Sequence, residues 1–137
     1  MTSSGMKSGQ EAKGQILHVD DDPDVRLLMS ASLQEFGYVV ATAGSVAEAV
    51  ELAKTMSFDL CILDVRLPDG TGIELCQQLR PLQPKAPIVY YSAYADEASQ
   101  QQALAVCGDA YVKKPISMVE WEQTISRYLG KTDPETS

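Results

Sequence analysis

Residues 60–75 read LCILDVRLPDGTGIEL: four consecutive apolar positions, an acid at Asp64, a turn around Pro68-Asp69-Gly70, and then a segment of helical period. A strand that is apolar at every position suits a parallel sheet covered on both faces, where no side chain points to water. The Pro, Asp and Gly behind it build a turn that presents Asp64 at the strand's carboxyl end. The spacing then predicts a helix over about Thr71–Arg80, with Ile73, Cys76 and Leu79 inward and Pro81 as its stop.

The same alternation repeats outward in both directions. Strands are predicted at Ile16–Val19, Tyr38–Ala41, Leu60–Leu63, Ile88–Tyr91 and Ala110–Val112. A helix over Asp24–Phe36 places Val25, Leu28, Met29, Leu33 and Phe36 on one stripe, and Gly37 ends it. Ser45-Val-Ala-Glu48 is a capping box opening a helix with Val46, Ala49, Val50 and Ala53 inward. A helix over about Asp96–Val106 has a thin apolar face. Ser117-Met-Val-Glu120 caps a last helix ending near Leu129-Gly130. Five such strand–helix units predict an α/β fold, a doubly wound, five-stranded parallel sheet flanked by five helices.

The 137 residues suffice for one domain, and 45% hydrophobic with 22% charged residues is a globular composition. Residues 1–14 (MTSSGMKSGQEAKG) and 131–137 (KTDPETS) are poor in large apolar groups and read as disordered tails around a domain over 15–130. Eleven bases against 19 acids give a net charge of −8, which excludes the basic footprint of nucleic-acid binding and argues against an anionic membrane surface. No run is long and apolar enough for a membrane span, and the start lacks a signal-peptide core. Cys61, Cys76 and Cys107 are odd in number and widely spaced. They predict no disulfide framework and no metal pair, and read as small core hydrophobes of a reduced, cytoplasmic protein.

In a doubly wound sheet, ligands bind beyond the carboxyl ends of the strands. Strand one runs into Asp20-Asp21-Asp22, strand three into Asp64, strand four into Ser92-Ala93, and strand five into Lys113-Lys114-Pro115. Carboxylates gathered at one crevice repel, and a hard cation relieves the repulsion, so Mg²⁺ is the expected occupant. Lys114 and Ser92 would complete an anion site. Together these parts fit phosphoryl transfer with Asp64 as nucleophile and aspartyl phosphate as product. Each residue also has a structural reading: the Asp run as a polar turn in which Asp22 caps the helix begun by Pro23, Ser92 as a structural hydroxyl, and Lys114 as a solvated charge.

Over roughly residues 14–130 the chain resembles the receiver domains of bacterial two-component response regulators, of the CheY-like superfamily. The stretches ILHVDDDPDVR, LCILDVRLPDGTGIEL, IVYYSAYAD and GDAYVKKPI carry the likeness, in order and each at a strand terminus. The resemblance implies that Asp20 and Asp21 place Mg²⁺, that Asp64 is the phosphoacceptor, and that Arg66 is a metal ligand through its backbone carbonyl. It implies Ser92 as the switch hydroxyl, Lys114 as the phosphoryl-binding lysine and Tyr111 as the switch aromatic, although a half-buried packing role also suits a strand tyrosine. Strand order 2-1-3-4-5 is implied too.

The implied function is a phosphorelay switch, not a turnover enzyme. It takes a phosphoryl group from a sensor histidine kinase or histidine phosphotransfer protein. It then presents a helix 4/strand 5/helix 5 face, near Met118, Tyr111 and Trp121, to a downstream protein or a second copy. His18 stands where that family usually has an aliphatic and reads as a satisfied core histidine. Trp121 reads as packing or interface. Arg66 and Tyr94, two positions beyond acceptor and switch hydroxyl, are expected to shield the phosphoryl group from water. A haloacid-dehalogenase-type phosphatase would need an acid where Arg66 stands, and room for a cap domain. A flavodoxin-like carrier would need a phosphate loop where DDDPD stands.

Overall fold

The computed structural model describes residues 13–93 and 96–129. The expected tails fall outside these residues apart from Lys13 and Gly14, and so do Tyr94 and Gly130. Lys13 N–H donates to the Gly37 carbonyl at 2.9 Å and the Gly14 carbonyl accepts from Val39 N–H at 2.9 Å, so both extend the pairing of the first strand.

Five strands form the central sheet: β1 (Gln15–Val19), β2 (Val39–Ala43), β3 (Leu60–Leu63), β4 (Ile88–Ser92) and β5 (Ala110–Lys113). Their order is β2-β1-β3-β4-β5, with every pairing parallel. The helices are α1 (Pro23–Glu35), α2 (Val46–Thr55), α3 (Gly72–Leu82), α4 (Glu97–Val106) and α5 (Met118–Leu129). A two-residue antiparallel ribbon between Arg66–Leu67 and Gly70–Thr71, absent from the sequence reading, closes the turn behind β3.

Period-2 alternation splits the core into two layers. Leu17, Cys61, Leu63, Ile88 and Tyr90 face the side that also holds Ala49 and Ala53 of α2, Leu75, Cys76 and Leu79 of α3, and Ala103 of α4. Ile16, Leu60, Ile62, Val89 and Tyr91 face Met29 and Leu33 of α1 and Trp121 and Ile125 of α5. Both layers are closed, which is why consecutive strand positions are apolar.

Several local expectations need correction. Leu28 is not on the buried stripe of α1: it is 65% exposed and Leu27 is 71% exposed, because the helix meets the sheet along Met29 and Leu33. The Ser45 hydroxyl accepts from Glu48 N–H as expected, but the Glu48 carboxylate takes Gly44 N–H at 2.6 Å, so the returning half of that box lies one residue early. Pro81 does not end α3, which runs one residue past it. Its fixed φ is itself helical, so in a last turn it removes one hydrogen bond and not the turn. The complete box on that helix is Thr71 with Glu74.

The cysteine reading fails for two of three. Cys76 of α3 and Cys107, just after α4, form a disulfide, with Cα atoms 6.1 Å apart; their separation of 31 residues hid a contact that only the fold creates. Cys61 is the buried free thiol. His18 is buried, but its Nδ1 has no hydrogen-bond partner among the described residues, so it is not the satisfied histidine expected. Burial holds its pKa down to about 4, against the pull of the Asp20 charge. Trp121 is 0% exposed and packs edge-on against Tyr91 at 4.9 Å. It is core, not a surface for a partner.

Candidate functional site

The site lies at the carboxyl end of the sheet, where β1 and β3 sit side by side and hand their chains to opposite faces. Asp20 N–H still donates to the Ala43 carbonyl and Asp64 N–H to the Val19 carbonyl, so sheet register extends into both acids and fixes their backbones. Asp20 is 1% exposed. One carboxylate oxygen takes Asp22 N–H at 3.0 Å and the other takes the Lys114 ammonium at 2.7 Å. The Arg26 guanidinium donates to the Asp20 carbonyl at 2.7 Å, clamping the loop to α1. Asp22 caps α1, as its place before Pro23 predicted.

Asp64 is half-buried. Its Oδ1 accepts Val65 N–H at 2.7 Å, and its Oδ2 lies 3.5 Å from Lys114 Nζ. Oxygens of Asp20, Asp21 and Asp64 come within 4.8 Å of one another, with Asp21 exposed to solvent. Three carboxylates against one ammonium leave surplus negative charge at one point. Mg²⁺ fits this set: it favours a few carboxylate oxygens completed by carbonyl, water and phosphate.

Burial pushes the Asp64 pKa up, the Lys114 charge opposes that, and the Asp20 charge adds to it. For Lys114, burial works against the charged form, but the Asp20 hydrogen bond and the charges of Asp20 and Asp64 outweigh it, so its pKa rises. The lysine stays cationic and the Asp64 carboxylate stays poorly solvated, a combination suited to meeting an incoming anion. Lys114 is placed by its N–H on the Ser92 carbonyl at 2.9 Å and by the Tyr91 ring, 5.4 Å from Nζ. The Lys114-Pro115 peptide is cis.

Ser92, the last residue of β4, is fully buried. Its side chain is hydrogen-bonded to that of Tyr111, which is half-buried on β5; burial raises the Tyr111 pKa and the Ser92 bond lowers it. Tyr111 packs against Tyr90 with ring centroids 5.6 Å apart. Arg66 is exposed and holds the ribbon opposite Thr71, two residues past Asp64. Tyr94 lies outside the described residues.

Sequence reasoning missed two supports. A Cβ on Gly72 would collide with the Asp64 carbonyl oxygen, so only glycine lets α3 start against the Asp64 backbone. Asp69 takes Val46 N–H at 2.8 Å and Ala47 N–H at 3.0 Å, anchoring the loop behind Asp64 to the start of α2, and these bonds hold its pKa below the usual range. The Asp-Gly-Thr-Gly run signalled a turn, but a capping bond to another helix has no trace in the local pattern.

Residues 16–126 match the family model described as the response regulator receiver domain. The chain is 34% identical over 119 residues to the response regulator protein PilR of Pseudomonas aeruginosa, covering 87% of this chain and 27% of that one. It is 36% identical over 118 residues to the alkaline phosphatase synthesis transcriptional regulatory protein PhoP of Bacillus subtilis, covering 86% and 49%. The chain therefore spans a quarter to a half of the length of these curated relatives.

Among solved structures, a CheY-like receiver domain protein from Methanospirillum hungatei superimposes with a TM-score of 0.83 at 27% identity, covering 92% of this chain and 99% of that one. The receiver domain of a sensor histidine kinase from Pseudomonas aeruginosa, solved with a magnesium ion in its active-site cleft, gives 0.77 at 27% identity, covering 85% and 98%. The parallel sheet in order 2-1-3-4-5 and its acidic carboxyl end thus have a family: this chain belongs to the response regulator receiver domains, the phosphoacceptor switches of two-component signal transduction.

Proposed function

We propose that Asp64 accepts a phosphoryl group from the phosphohistidine of a sensor histidine kinase or histidine phosphotransfer protein, within a receiver unit spanning residues 15–130. The observation that carries this is the convergence of the Asp20, Asp21 and Asp64 carboxylates with the Lys114 ammonium. An Asp64 carboxylate oxygen attacks phosphorus and the phosphorus–nitrogen bond breaks. Its electron pair leaves on the imidazole nitrogen, which picks up a proton. Asp20, Asp21, Asp64 and the Arg66 carbonyl would hold Mg²⁺, whose chemistry is to offset charge on the phosphoryl oxygens. Lys114 gives part of its charge to a phosphoryl oxygen, and Ser92 donates its hydroxyl to another.

Tyr111 is already bonded to Ser92, so displacement of Ser92 passes straight to β5 and the adjoining helices. Leu104 of α4 and Val119 of α5 are exposed there, and Met118 is half-buried. These groups suit an α4–β5–α5 face that docks a downstream protein or a second copy. The exposed Leu27 and Leu28 of α1 give the phosphodonor an apolar landing near the acidic loop. No helix among the described residues is long and apolar enough to cross a membrane. The acidic charge disfavours nucleic acid, so the reading is a cytoplasmic switch that undergoes no catalytic turnover.

The test is intact-mass measurement after exposure to a small acyl phosphate with Mg²⁺. Wild type should gain one phosphoryl group and Asp64→Asn none, with the fold unchanged by circular dichroism. Full labelling of the variant would place the acceptor elsewhere.

A further inference from the structure

The Cys76–Cys107 bond ties the middle of α3 to the end of α4, a helix that buries little of its own surface. Of the residues of α4 only Ala103 is buried, and Leu104 and Val106 are exposed. The joint at Cys107 also touches the switch. The Cys107 carbonyl accepts the Tyr90 hydroxyl at 2.6 Å, and the Tyr90 ring packs on Tyr111. Next in the chain, Gly108 has φ +112° and no room for a side chain: a Cβ there would lie 2.6 Å from the Tyr90 ring. Chain end, tyrosine pair and cross-link form one packed unit.

We propose that Cys76 and Cys107 are a reversible redox pair that sets how far α4 can move when the acceptor is phosphorylated. The structural disulfides of stable proteins belong to oxidising compartments, whereas cytosolic ones are mostly transient and redox-sensing. The inference rests on the cytoplasmic reading for the bond's reversibility and on the phosphoacceptor reading for what α4 responds to.

The oxidant is a low-molecular-weight disulfide. The thiolate of half-buried Cys107 attacks one of its sulfurs, breaks its S–S bond and releases one small thiolate. The Cys76 thiolate then displaces the second from the mixed disulfide. Two protein thiols are oxidised, one disulfide is reduced to two thiols, and the two protons pass from protein to product. A dithiol reverses both steps. Cys61 stays apart: it is fully buried, and burial pushes its thiol up to about 12. Oxidised, the pair pins the carboxyl end of α4 to α3, the helix that abuts Asp64. Reduced, α4 loses that cross-link and keeps Ala103 as its one buried residue.

The test compares the full chain after incubation with oxidised glutathione and after dithiothreitol. Alkylation in denaturant should count one thiol in the first sample and three in the second, from the pair and Cys61. Amide hydrogen exchange over residues 97–106 should be ~10-fold slower in the oxidised chain, and the change that beryllofluoride with Mg²⁺ provokes there should be smaller. Cys107→Ser should match the reduced chain under both conditions. Three thiols after oxidation, or equal α4 exchange in both redox states of wild type, overturns the proposal whether or not the variant folds. Phosphoryl uptake from an acyl phosphate is measured on both samples. Its absence from both would sink the phosphoacceptor reading, while the α4 exchange ratio would still decide the redox pair.

Discussion

Helices α3 and α4 pack on the same face of the sheet and share a disulfide, yet they are held in opposite ways. Helix α3 buries Gly72, Leu75, Cys76 and Leu79, and its first turn is closed by a reciprocal Thr71–Glu74 box. Helix α4 buries Ala103 alone and starts on the Asp96 cap. A buried leucine contributes ~1.5–3 kcal/mol and a buried alanine far less, so α3 belongs to the frame and α4 to the low-stability part. The difference sets a deeply packed helix beside Asp64 against a thinly packed one on the same face of the sheet.

The strongest way to break this contrast is to empty the frame. Leu79→Ala, at a fully buried position, should cost ~2–5 kcal/mol of unfolding free energy, read from a urea midpoint. A loss below ~1 kcal/mol would mean that α3 is no better anchored than α4.

Acid attacks the frame from within. The folded state holds His18 at a pKa of about 4, against 6.5 in the unfolded chain, so below pH 6.5 the unfolded chain takes up a proton that the native state refuses. Stability attributable to His18 is present above pH 6.5 and lost as pH falls toward 4, by up to ~3 kcal/mol. His18→Leu should remove that share of the pH dependence, measured by denaturant melts from pH 7 to 4.5. Identical slopes in both proteins would show that the imidazole does not report on the core.

Gly72→Ala moves the frame against the chemistry. Its Cβ cannot coexist with the Asp64 carbonyl oxygen, so Asp64, the proposed acceptor, must shift, and phosphorylation by an acyl phosphate should slow by ~10²-fold. A wild-type rate would separate the start of α3 from the acceptor. The smallest effect is expected at Leu104→Ala on α4: within ~0.5 kcal/mol of wild type in stability, because the side chain is already 36% exposed. A larger loss would make α4 part of the frame.

Legibility followed range. The strand cores and Asp22, Ser45 and Ser117 as caps were readable because apolar runs and capping residues act over a few positions, and the strand ends led to Asp20, Asp64, Ser92 and Lys114. Leu28 was misplaced because a helical stripe read from sequence has a width but no direction, and the line of contact with the sheet is chosen by the neighbours. Gln83 shows the same limit. Its side chain accepts Phe58 N–H and donates to the Ala53 and Met56 carbonyls, fastening the end of α2 to the end of α3. An isolated glutamine gives no hint of three partners 25 to 30 residues away.

By itself the sequence determined the alternation of strands and helices, the parallel sheet and the acidic, lysine-bearing ends of its strands, since all of these are written in hydrophobic period and in turn chemistry. The tertiary structure alone decided that Lys114 bridges Asp20 and Asp64, that Tyr111 bonds Ser92, and that Cys76 meets Cys107. Those contacts join residues far apart in the chain, and their distances are fixed by sheet order and helix packing, to which no local pattern refers.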